Sequence, residues 1–161
     1  LPAVCALALA ISCGTMTGVP GLPGGTTEME LRGFPDDVLE LEQGGYNTRQ
    51  RLVVRTDDDW RDVWEALYPN DESRPPRPTV DFSDEMVIVV ATGTRPSTGF
   101  SVHIDGAREA NGDFWVFVRE VTPSLSCNRT PLATHPAAVV RVDRRDGDAT
   151  FVERGETTVC D

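Results

Sequence analysis

Two histidines, His103 and His135, are the side chains best suited to acid–base chemistry near neutral pH. His103 stands on the polar side of an alternating segment, and His135 precedes a proline in a loop, so both are expected to be solvated. No serine lies in a Gly-x-Ser-x-Gly motif, and the sequence has no phosphate-binding glycine loop, dinucleotide fingerprint or zinc-protease helix. We therefore predict that the protein is not an enzyme and needs no cofactor. A hydrolase that uses His103 or His135 is the weakest alternative.

The composition predicts one folded domain on a strongly acidic chain. The 161 residues carry a net charge of −11, and 39% of them are hydrophobic. Such a charge repels phosphates, which argues against nucleic-acid partners. No apolar run reaches the roughly 20 residues of a membrane-spanning helix. Because residues 1–27 contain no Asp, Glu, Lys or Arg, the acidic body is expected to be a single domain at 28–161.

The first 13 residues have the pattern of an export signal. Leu1–Ile11 is apolar and is followed by Ser12 and Cys13, an arrangement that resembles a bacterial lipoprotein signal. The resemblance implies that Cys13 becomes the lipidated first residue and that the body is extracytoplasmic, in the periplasm or on the cell surface. Residues 14–27 are rich in Gly, Pro and Thr and are expected to form a tether. An ordinary secretory signal or a buried N-terminal helix is the alternative.

The expected extracytoplasmic location bears on the two remaining cysteines of the body. Cys127 and Cys160 are the only thiols in the body, and an oxidising compartment would let them pair. A disulfide across such a loop would stabilise the fold by roughly 3–4 kcal/mol. We predict no metal site, because the two cysteines lack a Cys-x-x-Cys spacing and only two histidines are available.

Local patterns predict a mainly β protein with one amphipathic helix. The helix is expected to begin at Thr56 or Asp57, where acidic residues suit its positive end, and to stop at Pro69. We predict three hairpins, in which 38–42 pairs with 50–55, 100–105 with 114–121 through Asn111-Gly112, and 137–142 with 149–153. The continuous apolar run 86–91 is expected to be the most buried strand. About seven or eight short strands suit an antiparallel β-sandwich or a partly open barrel whose edge or face the helix covers.

One loop has the composition of a contact surface. It runs from Gly93 through Thr94 to Phe100, and its contact residues are predicted to be Arg95, Pro96, Ser97, Thr98, Gly99 and Phe100. A rigid loop that offers an arginine beside an aromatic ring can anchor a protein partner. Alternatively it is an ordinary connection, with Phe100 directed into the core on the same side as Val102 and Ile104.

Residues 80–90, the loop and Ser101–Ile104 together resemble the PrcB-like C-terminal domain, in which a buried strand leads to a Gly…Pro-Thr-Gly-Gly-Tyr-type loop. The similarity is strongest over 80–142 and extends loosely over 38–154. Here Ser97-Thr98 replaces Thr-Gly, and Phe100 replaces the tyrosine. The family's namesake is a lipoprotein subunit that is thought to stabilise a subtilisin-like protease on the cell surface. The resemblance thus implies a non-enzymatic accessory protein whose partner is a secreted serine protease.

A second resemblance concerns six residues of the same loop. Arg95–Phe100 is similar to the Asn-Pro-Thr-Thr-Gly-Tyr loop of chagasin-type inhibitors, which are Ig-like sandwiches that block papain-like cysteine proteases. It implies a protease inhibitor that presents the 93–100 loop. A purely structural module of the cell envelope is the remaining alternative.

Overall fold

The computed structural model describes residues 22–34 and 39–160 of the chain. Within those ranges it contains eight strands and one helix, which confirms the predicted mainly β sandwich. The elements are β1 (Thr27–Met29), β2 (Leu39–Leu41), β3 (Arg49–Val54), α1 (Asp57–Leu67), β4 (Glu85–Thr92), β5 (Ser101–Ala110), β6 (Asp113–Pro123), β7 (Ala137–Asp143) and β8 (Ala149–Thr158).

The strands form two four-stranded sheets and no closed barrel. Sheet A has the order β1-β5-β6-β8, and sheet B has the order β2-β7-β4-β3. Neighbouring strands are antiparallel, except that β6 and β8 run parallel over their whole length. One of the three predicted hairpins is confirmed, since β5 and β6 are joined by Asn111 and Gly112 at φ values of 55° and 91°.

The predicted hairpin between 38–42 and 50–55 is wrong. β2 pairs with β7 and β3 pairs with β4, so the two strands lie at opposite edges of sheet B. β4 and β7 are apolar on both faces and therefore take the centre of the sheet, where both faces are covered. β2 and β3 carry charged residues at alternating positions, which suits an edge.

The predicted hairpin between 137–142 and 149–153 is also wrong. β7 belongs to sheet B, whereas β8 joins the edge of sheet A beside β6. The connecting residues 144–148 cross between the sheets instead of reversing the chain within one of them. Their far end is fixed by a hydrogen bond from Phe114 N to Asp148 O at 2.9 Å and another from Asp148 N to the Asp113 carboxylate at 2.9 Å.

Sheet B is covered on both faces, so the predicted burial of 86–91 is confirmed. Met86, Ile88 and Val90 face sheet A and pack in a core with inward residues of β5, β6 and β7. Val87 and Val89 face the other way and pack against the helix. All five side chains are fully buried. The order of layers is therefore sheet A, sheet B and helix.

The helix forms where the sequence predicts it. The Thr56 hydroxyl accepts a hydrogen bond from Asp59 N at 3.2 Å, which caps the first turn. Trp60 and Trp64 are buried against sheet B, and their indole N–H groups donate to backbone carbonyls of the proline-rich segment 75–78, each at 2.9 Å. No helix among the described residues is long and apolar enough to cross a membrane.

The predicted disulfide is present between Cys127 and Cys160, with the two Cα atoms 4.9 Å apart. Cys127 follows β6 and Cys160 follows β8, so the bond joins the chain beyond the same ends of two parallel strands. A hydrogen bond from Ser124 N to Thr158 O, at 2.9 Å, supports the same junction.

Candidate functional site

The 93–100 loop connects β4 in sheet B with β5 in sheet A, and it is held by the segment 130–134 that precedes β7. Arg95 and Thr134 exchange backbone hydrogen bonds of 2.8 and 3.0 Å. The hydroxyl of Thr134, which is fully buried, donates to the Ser97 carbonyl at 3.0 Å. Thr98 N donates to Thr130 O at 3.1 Å, and Thr130 N donates to the Thr98 hydroxyl at 3.0 Å. These contacts give the loop a fixed conformation.

Gly99 carries the left-handed backbone that the turn into β5 requires. Its φ is 91°, and an added Cβ would lie 3.2 Å from Cβ of Pro123. Thr98, where the related loop has a glycine, keeps a negative φ, since Asn111 is the one non-glycine residue with positive φ among those described. The substitution at Thr98 therefore leaves the backbone of the loop unstrained.

Arg95 and Phe100 lie together, as the contact-loop interpretation supposes, but neither is free. The Arg95 guanidinium lies 5.7 Å from the centre of the Phe100 ring and forms an ion pair of 3.0 Å with Glu120. Phe100 is half-buried and belongs to neither core cluster formed by the described residues. Its position therefore lies between the two alternatives.

The loop leaves a small surface available to a partner. Thr94, Pro96 and Gly99 are exposed, whereas Ser97 is buried. On the segment that holds the loop, the apolar side chain of Leu132 has 54% of its surface exposed. We call these four exposed residues, Thr94, Pro96, Gly99 and Leu132, the loop face.

A cluster of charged groups contacts the loop through Arg95. Glu120 of β6 accepts from Arg95 and also contacts Arg51 at 2.6 Å and Arg49 at 3.0 Å, both on β3. The two β3 arginines also reach Glu153 of β8, at 2.6 and 2.9 Å. The cluster thus joins the edge of sheet B to two strands of sheet A.

The pKa shifts of Arg51 and Glu153 favour the charged form of each side chain. Burial alone would lower the pKa of Arg51, but hydrogen bonds and charges from Glu153 and Glu120 outweigh it and raise that pKa. Burial would raise the pKa of Glu153, but Arg51 and Arg49 outweigh it and lower that pKa. The alternation of Arg49 and Arg51 puts both on one face of a strand. Their partners are far along the chain, so sequence reasoning did not find the cluster.

The two histidines have different surroundings. His103 Nε2 lies 2.8 Å from the Ser101 hydroxyl, and its Nδ1 lies 2.7 Å from a carboxylate oxygen of Glu40 on β2. His135 Nδ1 lies 3.1 Å from the side-chain oxygen of Gln43. A groove of about 310 Å³ runs between β2 and the start of β5, and Glu40, Phe100 and Ser101 line it. Sequence reasoning placed His103 correctly on the polar face of its strand but missed Ser101 and Glu40 as its partners.

Two further points concern the predicted lipidation site and metal ligands. Cys13 and the apolar stretch before it lie outside the described residues. Within residues 22–34 and 39–160, no three His, Cys, Asp or Glu side chains are grouped so that they could hold a metal ion.

Residues 86–143 match the family model described as PrcB C-terminal. They span β4, the 93–100 loop, β5, β6 and β7, so the resemblance deduced from the residues is confirmed over this stretch. No curated protein and no solved structure matches the chain.

Proposed function

Because residues 86–143 match the PrcB C-terminal family, we propose that this chain is an accessory subunit that binds and stabilises a secreted subtilisin-like protease. The match is compatible with an accessory protein of a protease complex. The observation that carries the proposal is the loop face, which lies within the matched stretch and is held in one conformation by the buried Thr134. A contact surface that is already ordered loses little conformational entropy on binding, which favours affinity.

The first test measures two properties of the protease at once. The chain, with Cys13→Ser to keep it soluble, is added to subtilisin-like and to papain-like proteases, and initial activity and half-life are followed. A longer half-life of a subtilisin-like enzyme with unchanged initial activity supports the proposal. Immediate saturable inhibition of a papain-like enzyme supports the chagasin-like alternative. A structural envelope module changes neither quantity.

A pair of leucine variants assigns the binding surface. Leu132→Asp places a charge on the loop face, where it would have to be desolvated on binding, and should weaken the complex at least tenfold. Leu125→Asp is the matched control, because Leu125 is 91% exposed but belongs to the segment near the disulfide. Equal losses of affinity in the two variants would contradict binding through the loop face.

We also propose that Cys13 carries the lipid that holds the protein on the outer side of a membrane. The proposal rests on the lipoprotein-like residues before Cys13 and on the Gly/Pro/Thr tether after it. The Cys13→Ser variant should move from the membrane fraction to the soluble fraction of cells that produce it. A variant that stayed with the membrane would refute the anchor without affecting the proposed partner.

A further inference from the structure

Ser101, His103 and Glu40 form a continuous chain of hydrogen bonds outside the loop face. Ser101 and His103 occupy alternate positions of β5, so their side chains share one face of the strand. The distances are 2.8 Å from the Ser101 hydroxyl to His103 Nε2 and 2.7 Å from His103 Nδ1 to Glu40. The three groups therefore stand in the order hydroxyl, imidazole, carboxylate.

The chemistry of the three groups determines the direction of the hydrogen bonds. An ionised carboxylate can only accept, so the Nδ1 atom beside Glu40 carries the proton. In a neutral ring Nε2 is then the acceptor, and the Ser101 hydroxyl donates to it. This is the arrangement in which an imidazole can remove the proton of a serine while a carboxylate orients the ring.

Ser101 is also accessible from the groove between β2 and β5. β1 pairs only with Ala107, Arg108 and Glu109 of β5. Among the described residues no strand pairs with that edge at 101–105, since sheet A has only β1 on this side. Every second backbone N–H along such an edge points away from the paired neighbour, so this edge of the groove offers hydrogen-bond donors to a negatively charged oxygen.

We infer that Ser101 is an activated nucleophile that hydrolyses small carboxylic esters, with His103 as the general base and Glu40 as a positioning residue. Leu41 and Phe100 give the groove apolar walls, whereas Glu40 and Glu42 make it acidic. The substrates are therefore uncharged or cationic esters with a short apolar acyl group. This activity does not depend on the proposed protease partner.

The reaction is balanced by one water molecule. The Ser101 oxygen forms a bond to the ester carbonyl carbon as its proton passes to His103 Nε2. The bond from that carbon to the alcohol oxygen then breaks, and the imidazolium gives the proton to the departing alcohol. Water, deprotonated by the same imidazole, attacks the acyl-serine, and the released proton returns to Ser101 as the carboxylic acid leaves.

The test uses the whole chain and a fluorophosphonate probe, which labels activated serines. Intact mass and peptide mapping should find a single adduct, on Ser101. His103→Gln should slow labelling about 100-fold or more, in line with the usual contribution of a general base. Glu40→Gln should slow it about tenfold, since Glu40 is half exposed and only positions the ring. Ser124 is the internal control, because its hydroxyl contacts that of Ser126 and no histidine.

A second measurement separates the activity from a purely structural role of the hydrogen bonds. Hydrolysis of p-nitrophenyl butyrate should be lost in Ser101→Ala, a variant that removes one hydroxyl and should melt within a few degrees of the parent. The inference is overturned if Ser101 is labelled no faster than Ser124, if His103→Gln leaves the labelling rate unchanged, or if Ser101→Ala retains ester hydrolysis.

Discussion

The hydroxyl of Thr134 donates a hydrogen bond of 3.0 Å to the backbone carbonyl of Ser97, in a position where Thr134 is fully buried. The two residues are 37 positions apart and lie on different connections, one between β4 and β5 and the other before β7. This contact fixes the loop face on the body of the protein. If the donor is removed, the buried Ser97 carbonyl has no hydrogen bond to offset the free energy of taking it out of water. Loss of this bond should therefore lower the free energy of unfolding.

Thr134→Val should test this contact directly. Valine has nearly the shape of threonine but cannot donate, so the variant should lose about 1–3 kcal/mol of unfolding free energy. Urea denaturation at neutral pH measures the loss. Thr130→Val is the matched control, because Thr130 is exposed and contacts the loop through its backbone. A similar loss in both variants would contradict a specific role for the Thr134 hydroxyl.

Gly99→Ala should destabilise the turn into β5. The alanine would have to adopt a φ of 91° and place its Cβ 3.2 Å from Pro123, and the strain should cost about 1–2 kcal/mol. The melting temperature and the affinity for the protease should both fall. Gly106→Ala is the control, since that glycine has no positive φ and no atom within 4 Å of an added Cβ. If Gly106→Ala lowered the melting temperature more than Gly99→Ala does, the backbone conformation of the loop would be unimportant for stability.

Glu153→Gln should change how stability depends on pH. Arg51 and Arg49 lower the pKa of Glu153 below its unfolded value of 4.5, so the folded state favours the carboxylate. The resulting stability is present above pH 4.5 and is lost as the pH falls through the lower folded value. Since 36% of the Glu153 side chain is exposed, solvent screening limits the contribution to about 1 kcal/mol.

The unfolding free energy of the parent and of Glu153→Gln should thus differ most near pH 7 and converge in acid. Urea titrations at a series of pH values give this difference. Glu72→Gln, at an exposed turn, should show no such trend. A difference that grew in acid would contradict the direction assigned to the pKa of Glu153.

Removal of the disulfide should loosen the ends of β6 and β8 before the rest of the sandwich. Cys127→Ser with Cys160→Ser removes a cross-link between residues 33 positions apart, which should lower the unfolding free energy by about 3–4 kcal/mol. Hydrogen exchange should accelerate most at 155–158, where β8 is exposed. The same double variant should be insensitive to reductant, whereas the parent should lose stability when it is reduced. Free thiols at Cys127 and Cys160 in the native parent, located by peptide mapping, would remove the basis of this prediction.

Most elements of this fold were predictable because their signals are local, whereas the short strand β1 was not predicted. Thr56, the acidic first turn and the apolar spacing from Trp60 to Leu67 define the helix without reference to any other segment. Asn111 and Gly112 provide the positive φ values of a tight hairpin, so β5 and β6 were paired correctly. Cys127 and Cys160 could be paired because the body offers no other thiol.

The pairing of the remaining strands was not predictable from these local signals. β2 and β3 are neighbours along the chain, as are β7 and β8, yet each pair is separated in space because β4 and β7 need cover on both faces. Sequence proximity favoured hairpins, and burial of the two most apolar strands in the centre of sheet B overrode it.

The sequence by itself determined most strand segments, the helix, the disulfide partners, the net acidic charge and the resemblance that the family match over residues 86–143 confirms. The elements, the charge and the resemblance depend on residue types and on spacings of a few positions. The disulfide partners follow because residues 28–161 contain only two cysteines. Only the tertiary structure brought Glu120 to within 3.0 Å of Arg95, and Glu40 to within 2.7 Å of His103 across 63 residues. Such contacts depend on how the two sheets and the helix pack as a whole, which no short stretch of sequence specifies.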